Sequence, residues 1–297
     1  MSPTAPPTQE LPSPPRIASS RALPVVGRLT DIAIALLLGA VLAGGWLAGW
    51  RAEILTTASM GTAAPVGTLV LSRPVGAGSV RVGDLVVFHP PGQPHTTFVH
   101  RVVGVRLSGP DRLLETKGDL SGAVDPWTLP ARSIIGRAVV RLPAVGWLLR
   151  MLPWLVAGTV SVLIFTMGMG VEARRAIRIL GLTFVAAVAV WHFRPLVGME
   201  LISAGATRHG DQVTVVSTGV LPTRVHALKV ASDSAVLNSG QAGTVRTTAP
   251  APDGRLLLIA APHLSGWWWW LLTTWAFPLF AGLGQRRREQ PTADSDV

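Results

Sequence analysis

The sequence predicts a membrane protein with an all-β domain outside the membrane, carried on transmembrane α-helices, and a second small β-rich segment on the same side. Three observations predict this fold class: long uncharged apolar stretches, arginines concentrated beside them, and short β-type runs between turns in the remaining segments. The chain has 297 residues, of which 48% are hydrophobic and only 14% are charged. This composition excludes wholesale disorder and is unusual for a soluble domain.

Four uncharged stretches predict transmembrane helices, because a helix needs about 20 apolar residues to cross a bilayer. The first lies too far from the start and is too long for a cleaved signal peptide, so it predicts a signal anchor. The third has only 15 residues and spans only if its flanking arginines reach the interfaces. The four stretches are Ile32–Trp50, Met151–Val171, Ile179–Phe193 and Leu264–Gly284.

The net charge of +10 indicates membrane topology rather than a nucleic-acid partner. Three arginines flank the spans in each predicted inner segment, including a short loop over 172–178, as the positive-inside rule requires. Tryptophans collect at the opposite, outer ends, and no basic patch with stacking aromatics is present. The arginines are Arg16, Arg21, Arg28, Arg174, Arg175, Arg178 and Arg286–Arg288, and the tryptophans are Trp46, Trp50, Trp147, Trp154, Trp191 and Trp267–Trp270.

These patterns divide the chain into eight predicted parts. They are a disordered cytoplasmic tail (1–27), a signal anchor (28–50), an all-β outer domain (54–146), transmembrane helices (151–171 and 177–195), a second outer β-rich segment (196–263), a last transmembrane helix (264–284) and a cytoplasmic tail (285–297).

Short β-type runs between Gly- and Pro-containing turns predict the strands of both outer parts. Those of the first are Val66–Leu71, Asp84–Phe88, Phe98–Val105, Leu113–Thr116 and Ile134–Arg141, and those of the second are Gln212–Ser217, Thr223–Val230 and Arg255–Ala260.

A serine, a histidine and two aspartates stand out in the first outer domain. Ser59 follows the first span by a few residues, His100 lies in a predicted strand, and Asp119 and Asp125 lie in and after a Lys-Gly-Asp turn. A serine nucleophile needs a base for its proton and a carboxylate that orients the base. Such residues occur by chance in any segment of this length. The order and setting of the motifs around them must therefore show whether they form a catalytic set.

In order and setting, the motifs resemble those of type I signal peptidases (family S26), in the endoplasmic-reticulum-like branch that uses Ser and His. The resemblance covers about residues 30–150, and the loop around the serine departs from it, since Thr57-Ala58 stands where relatives usually have Ser-Gly. The matching motifs are Ser59-Met60 after an N-terminal anchor, Gly83–Phe88, His100–Gly104, Lys117–Asp119 with Asp125, Gly136, and Pro143–Gly146.

The resemblance implies that Ser59 attacks the scissile carbonyl and that His100 takes its proton, since histidine exchanges protons near neutral pH. Either Asp119 or Asp125 would orient the imidazole. The oxyanion would lie against the Ser59 backbone N–H, with the Thr57 hydroxyl as a further donor, and Thr57 and Met60 would belong to the oxyanion and substrate site. The other branch uses a lysine base, but the only lysines here are Lys117 and Lys229.

The implied substrates are exported precursor proteins, cleaved after small side chains on the outer face of the plasma membrane by a multi-pass enzyme surrounded by lipid. No cofactor or metal is predicted, because the chain has no cysteine and His89 and His95 lack further ligands. The alternative is a catalytically inactive membrane scaffold or assembly protein that works through residues 196–263. A transporter is disfavoured, because the predicted spans contain no buried acidic or basic residue that would mark a transport pathway, and Asp31 and Arg150 lie at span edges.

Overall fold

The computed structural model describes residues 23–109, 111–207, 210–227, 230–247, 258–266 and 270. The first 22 residues, most of the predicted last span and the C-terminal tail lie outside the described residues. The structure divides after Gly49 into two units. The first contains helix α1 (Leu23–Leu47), whose Ala- and Leu-rich sequence favours a helix. Residues 23–27, expected to belong to a disordered tail, form its first turns.

The second unit begins with one antiparallel sheet, whose described strands have the order β1-β2-β7-β3-β4-β5-β6. All five strands predicted for this part are present, and two short strands, β1 and β6, are added. The strands are β1 (Arg51–Ile54), β2 (Leu69–Arg73), β3 (Leu85–Phe88), β4 (Phe98–Ser108), β5 (Asp111–Lys117), β6 (Leu129–Pro130) and β7 (Ile134–Leu142).

Strand β3 is buried on both faces, as expected for the continuous apolar run Leu85–Phe88. Because side chains alternate across a strand, Leu85 and Val87 join one hydrophobic cluster while Val86 and Phe88 join another. The neighbouring strand β4 is paired with it so that His100 lies opposite Val86. The histidine is therefore paired with a strand that is buried along its whole length.

Two helices, α2 (Val145–Phe165) and α3 (Val171–Phe193), follow as an antiparallel pair. Both are long and apolar enough to cross a membrane, judged by length and composition. They approach closely at glycines: a Cβ on Gly158 would lie 2.5 Å from a methyl group of Val185, and one on Gly181 would lie 2.9 Å from Val162.

The turn between these helices is shorter than the sequence predicts. Residues 172–178 were expected to form a loop but instead form the first turns of α3. Its sequence there contains Ala, Glu and Arg, which are good helix formers. Two of its arginines close the turn: Arg178 Nε donates to Thr166 Oγ1 (2.9 Å), and Arg174 Nη2 donates to the Met169 carbonyl (2.7 Å).

The last described part, the second β-domain, comprises residues 199–262. Its described strands form two three-stranded sheets, β11-β10-β13 and β12-β9-β8. Side chains from both sheets fill one core, in which Val213, Val225 and Val245 are fully buried. The strands are β8 (Met199–Thr207), β9 (Gly210–Ser217), β10 (Thr223–Ala227), β11 (Val230–Leu237), β12 (Ala242–Thr247) and β13 (Leu258–Pro262).

Candidate active site

Ser59 lies in a tight turn between β1 and β2. The Gly61 N–H donates to the Ala58 carbonyl (2.9 Å), and Met60 has φ −92° and ψ 0°, the values of the third residue of a type I turn. The Met60 side chain is completely buried in the core of the sheet. The turn is therefore anchored from beneath by Met60, and Ser59 occupies its corner.

His100 lies beside Ser59, and its Nε2 is 3.2 Å from the serine Oγ. The residue is 6% exposed, and its ring packs against the rings of Phe98 and Phe88, with centroid separations of 5.2 and 6.2 Å. Ring packing on two sides limits the orientations that the imidazole can adopt.

Asp125 contacts the other nitrogen of the imidazole. Its Oδ2 lies 2.7 Å from Nδ1 of His100 and also accepts a hydrogen bond from Thr116 Oγ1 (2.6 Å). A further bond, from the Asp125 N–H to the Thr116 carbonyl (2.8 Å), fixes the backbone. Because an ionised carboxylate only accepts, Nδ1 carries the proton and Nε2 is left as an acceptor for the Ser59 hydroxyl. This is the protonation pattern that a histidine base requires.

Asp119, the second aspartate considered for this position, is bonded elsewhere. Its two carboxylate oxygens accept from Nε and Nη2 of Arg101 at 2.8 and 2.7 Å. The hydrogen bond to Asp119 raises the pKa of Arg101, while partial burial opposes it. Leu120, the next residue, donates its N–H to the Ser59 carbonyl (2.8 Å). Asp119 thus braces the turn that holds the serine loop.

The expected oxyanion and substrate residues lie in different places. Thr57 Oγ1 is 3.5 Å from Ser59 Oγ, so its hydroxyl is beside the reacting atom. Among the described residues, no acceptor takes the Ser59 backbone N–H, which leaves this donor available for a bound oxygen. Met60, expected at the substrate site, instead lies in the core and contacts no open surface.

Two clefts meet at Ser59. The first, with a volume of about 270 Å³, runs between the segment 53–59 and the beginning of β4 at residues 96–100. Glu53 lies on its wall; burial raises the pKa of this carboxyl, and the nearby His89 opposes the rise. The second cleft, of about 260 Å³, runs between the serine loop and β8 of the second β-domain.

Three features of this site were missed in the sequence. Thr116 precedes the Lys-Gly-Asp motif directly, so its place next to a predicted catalytic turn was a usable signal. The bond between Arg101 and Asp119 joins residues 18 positions apart, and only the pairing of β4 with β5 brings them together. The wall formed by residues 200–202 depends on packing between two domains, and no local pattern predicts it.

Comparison with known proteins supports the family resemblance. No curated protein matches the chain. Residues 28–110 match the family described as signal peptidase, peptidase S26. The matched segment includes Ser59 and His100 and ends before Asp119 and Asp125. Over residues 28–110, the chain is therefore similar to the signal peptidase family S26.

Proposed function

We propose that the protein is a membrane-bound serine endopeptidase that removes signal peptides from exported precursors. The observation that carries the proposal is the hydrogen-bonded series Ser59–His100–Asp125, with separations of 3.2 and 2.7 Å, within a chain whose N-terminal part matches a signal peptidase family. A nucleophile, a base and an orienting carboxylate in this order form a triad of the kind that carries out acyl transfer through serine.

The proposed reaction begins when His100 Nε2 takes the Ser59 hydroxyl proton as Oγ attacks the scissile carbonyl. Asp125 stabilises the resulting imidazolium through Nδ1–H. The tetrahedral oxyanion accepts hydrogen bonds from the Ser59 N–H and the Thr57 hydroxyl. His100 then gives the proton to the leaving amine, and the same base activates the water that hydrolyses the acyl-enzyme.

The first cleft suits a small side chain before the scissile bond. Its walls include the buried side chains of Leu55 and Val99 beside Ser59, so a small apolar group is favoured there. An extended substrate segment also gains main-chain hydrogen bonds when it lies along the beginning of β4, where residues 98–100 precede the pairing with β5.

The signal peptidase family and the two apolar helices suggest membrane association. We place the catalytic domain on the outer face of the plasma membrane, as part of a multi-pass protein. The ring of Trp154, in the middle of α2, lies 5.7 Å from the ring of His192 near the end of α3, so both residues lie towards the end of α3 that is away from the turn. Arg174 and Arg178 lie at the other end, beside the turn. Membrane proteins commonly have aromatic residues at the interfaces and basic residues on the inner side, and the positions of Trp154, Arg174 and Arg178 agree with this pattern.

The alternative, an inactive scaffold or assembly protein working through residues 196–263, is not favoured. An inactive relative has no need for a buried histidine bonded on one side to a serine and on the other to an aspartate. Here both bonds are present, and side chains of His100 and Asp125 are only 8% and 9% exposed.

The test is cleavage of a precursor by the purified, lipid-reconstituted protein and by its Ser59→Ala variant. We expect the wild type to cut after a small residue and Ser59→Ala to be inactive while it remains folded and inserted. Ser133→Ala is the matched control, because its exposed hydroxyl bonds only to the Pro130 carbonyl in the described part of the chain. Retained cleavage by Ser59→Ala would refute the mechanism.

A further inference from the structure

The second β-domain touches the loop that carries the proposed nucleophile. Val216 of β9, which is completely buried, packs with Ala58 and Val66 on either side of the Ser59 turn. Trp147 at the start of α2 packs against the same cluster. The family match ends at residue 110, so nothing in that match accounts for this contact.

Gly240 brings the two domains together at a second point. It has φ +74°, and a Cβ there would lie 2.4 Å from the carbonyl oxygen of Gly61 and 3.0 Å from Pro65. Its own N–H donates to the Ser217 carbonyl (2.8 Å), so the turn is held against β9. The turn between β11 and β12 thus lies directly against the backbone two residues after Ser59, and only glycine fits there.

The second cleft is the consequence of this contact. Ser59 and Thr57 line both clefts. A peptide whose scissile bond lies at Ser59 therefore passes from the first cleft into the second. On the far wall lie three consecutive residues of β8, Glu200, Leu201 and Ile202. Leu201 and Ile202 are 53% and 37% exposed, so the wall offers apolar side chains to an occupant.

The backbone of residues 200–202, which form this wall, is also suited to binding an extended peptide. Within the described residues, β8 is the outermost strand of its sheet and pairs only with β9. The pairing register shifts between Leu201 and Ser203, which marks an irregularity at Ile202. Edge strands offer unpaired backbone groups, and bulges often lie beside active sites, where they redirect a side chain.

We infer that residues 200–202 of β8 form the binding site for the first residues of the mature protein, immediately after the scissile bond. The inference rests on the proposed function, because the small residue before the bond occupies the first cleft and the chain continues into the second. The incoming segment lies along the β8 edge, with side chains against Leu201 and Ile202. The Glu200 carboxylate at the same wall favours basic over acidic residues early in the mature chain.

The test compares two peptide substrates with the full-length protein. The long peptide continues for several residues past the scissile bond, and the short one ends there in a small amide leaving group. For Ile202→Ser we expect kcat/KM on the long peptide to fall roughly fivefold to tenfold, mainly through KM, because apolar contact is lost. The defect disappears on the short peptide, which does not reach β8.

Ile259→Ser is the matched control, since Ile259 lies in the same domain and is 38% exposed, against 37% for Ile202. We expect it to behave as the wild type on both peptides. A second variant, Glu200→Lys, tests the charge. The wild type should prefer a long peptide with Lys over one with Asp in the first mature positions, and Glu200→Lys should reverse that preference by a few-fold at low salt.

The outcomes separate the two proposals. If the wild type cleaves the long peptide, and Ile202→Ser and Ile259→Ser cleave it at equal rates, the inference about β8 is overturned. The proposed peptidase function is then unaffected. An equal loss of kcat/KM by Ile202→Ser on the long and the short peptide would also overturn the inference, because the defect would then be structural. A wild type that cleaves neither peptide would overturn the proposed function itself.

Discussion

Asp125 receives two hydrogen bonds on one carboxylate oxygen, from His100 Nδ1 and from Thr116 Oγ1. Its side chain is 9% exposed, so water competes little for these bonds. Two donors and a buried position fix the carboxylate, which in turn fixes the tautomer and orientation of the imidazole. In the proposed mechanism, the reactivity of Ser59 depends on this series of contacts between Thr116, Asp125 and His100.

Replacing Asp125 with Asn should lower kcat about 10⁴-fold, the loss typical of a triad aspartate. The amide can donate to Nδ1, which selects the tautomer with the proton on Nε2 and removes the acceptor for the serine proton. The measurement is the steady-state rate of precursor cleavage by the reconstituted variant. A loss of less than tenfold would contradict the assigned role of Asp125.

Asp119→Asn is the informative comparison, because this residue bonds to Arg101 rather than to His100. We expect a loss of at most about tenfold, accompanied by a lower melting temperature, since the brace on the serine loop is weakened. If Asp119→Asn were the more damaging change, the roles of the two aspartates would be reversed.

The sequence narrowed the orienting residue to two aspartates but did not distinguish them. Asp119 and Asp125 are six residues apart on the loop that follows β5, and either could reach a histidine on the neighbouring strand β4. The distinction depends on Arg101, which lies next to His100 and points to the opposite face of β4, where it binds Asp119. Which partner each aspartate finds is a tertiary property, and the sequence motif alone does not contain it.

At the scale of elements, the serine turn is held by the loop after β5. Gly118 passes so close that a Cβ there would lie 3.0 Å from both the Cβ and the carbonyl oxygen of Ser59, and 2.6 Å from Ser121 Oγ. The neighbouring Leu120 N–H donates to the same carbonyl. The Lys-Gly-Asp motif therefore has a steric role: its glycine allows the two loops to touch.

Gly118→Ala should displace Ser59 relative to His100 and lower kcat by about 100-fold, because a misplacement of 1 Å can cost that much. Gly76→Ala is the control: Gly76 has φ −63°, and a Cβ there meets nothing within 4 Å. Cleavage rates and melting temperatures of both variants should be measured together. Full activity in Gly118→Ala would show that the close approach is unimportant.

Elements with a strong apolar pattern were predicted from sequence, and short or charged elements were not. Leu85–Phe88 is a continuous apolar run, Phe98–Val105 is apolar apart from His100, Arg101 and Gly104, and both strands are present. Strand β1 is only Arg-Ala-Glu-Ile, and β6 consists of two residues, the second a proline. Neither strand is long enough to show an alternation of apolar and polar residues. Their positions are set by pairing with β2 and β5.

At the scale of the whole molecule, the proposed topology places both β-domains on one side of the membrane and the turn between α2 and α3 on the other. This proposal agrees with one contact: Val216 and Gly240 of the second β-domain touch the serine loop of the first β-domain (residues 51–142), so both domains must lie on the same side. If α2 and α3 both cross the membrane, as proposed, they supply an even number of crossings between the two β-domains and meet this requirement.

Because the chain contains no cysteine, the proposed topology can be tested by introducing single cysteines and labelling them. Single cysteines at Ser79, exposed in the first β-domain, and at Glu172, exposed in the first turn of α3, provide the two sites. A membrane-impermeant maleimide should label Ser79→Cys in intact cells but label Glu172→Cys only after permeabilisation. Labelling of Glu172→Cys in intact cells would contradict the proposed orientation.

The most direct test of the account is cleavage of a model precursor by the protein reconstituted in liposomes, beside its His100→Ala variant, with the products identified by mass spectrometry. We expect a single cut after a small residue by the wild type and none by His100→Ala. Equal cleavage by both proteins, or none by a folded wild type, would contradict the assignment of a Ser–His peptidase.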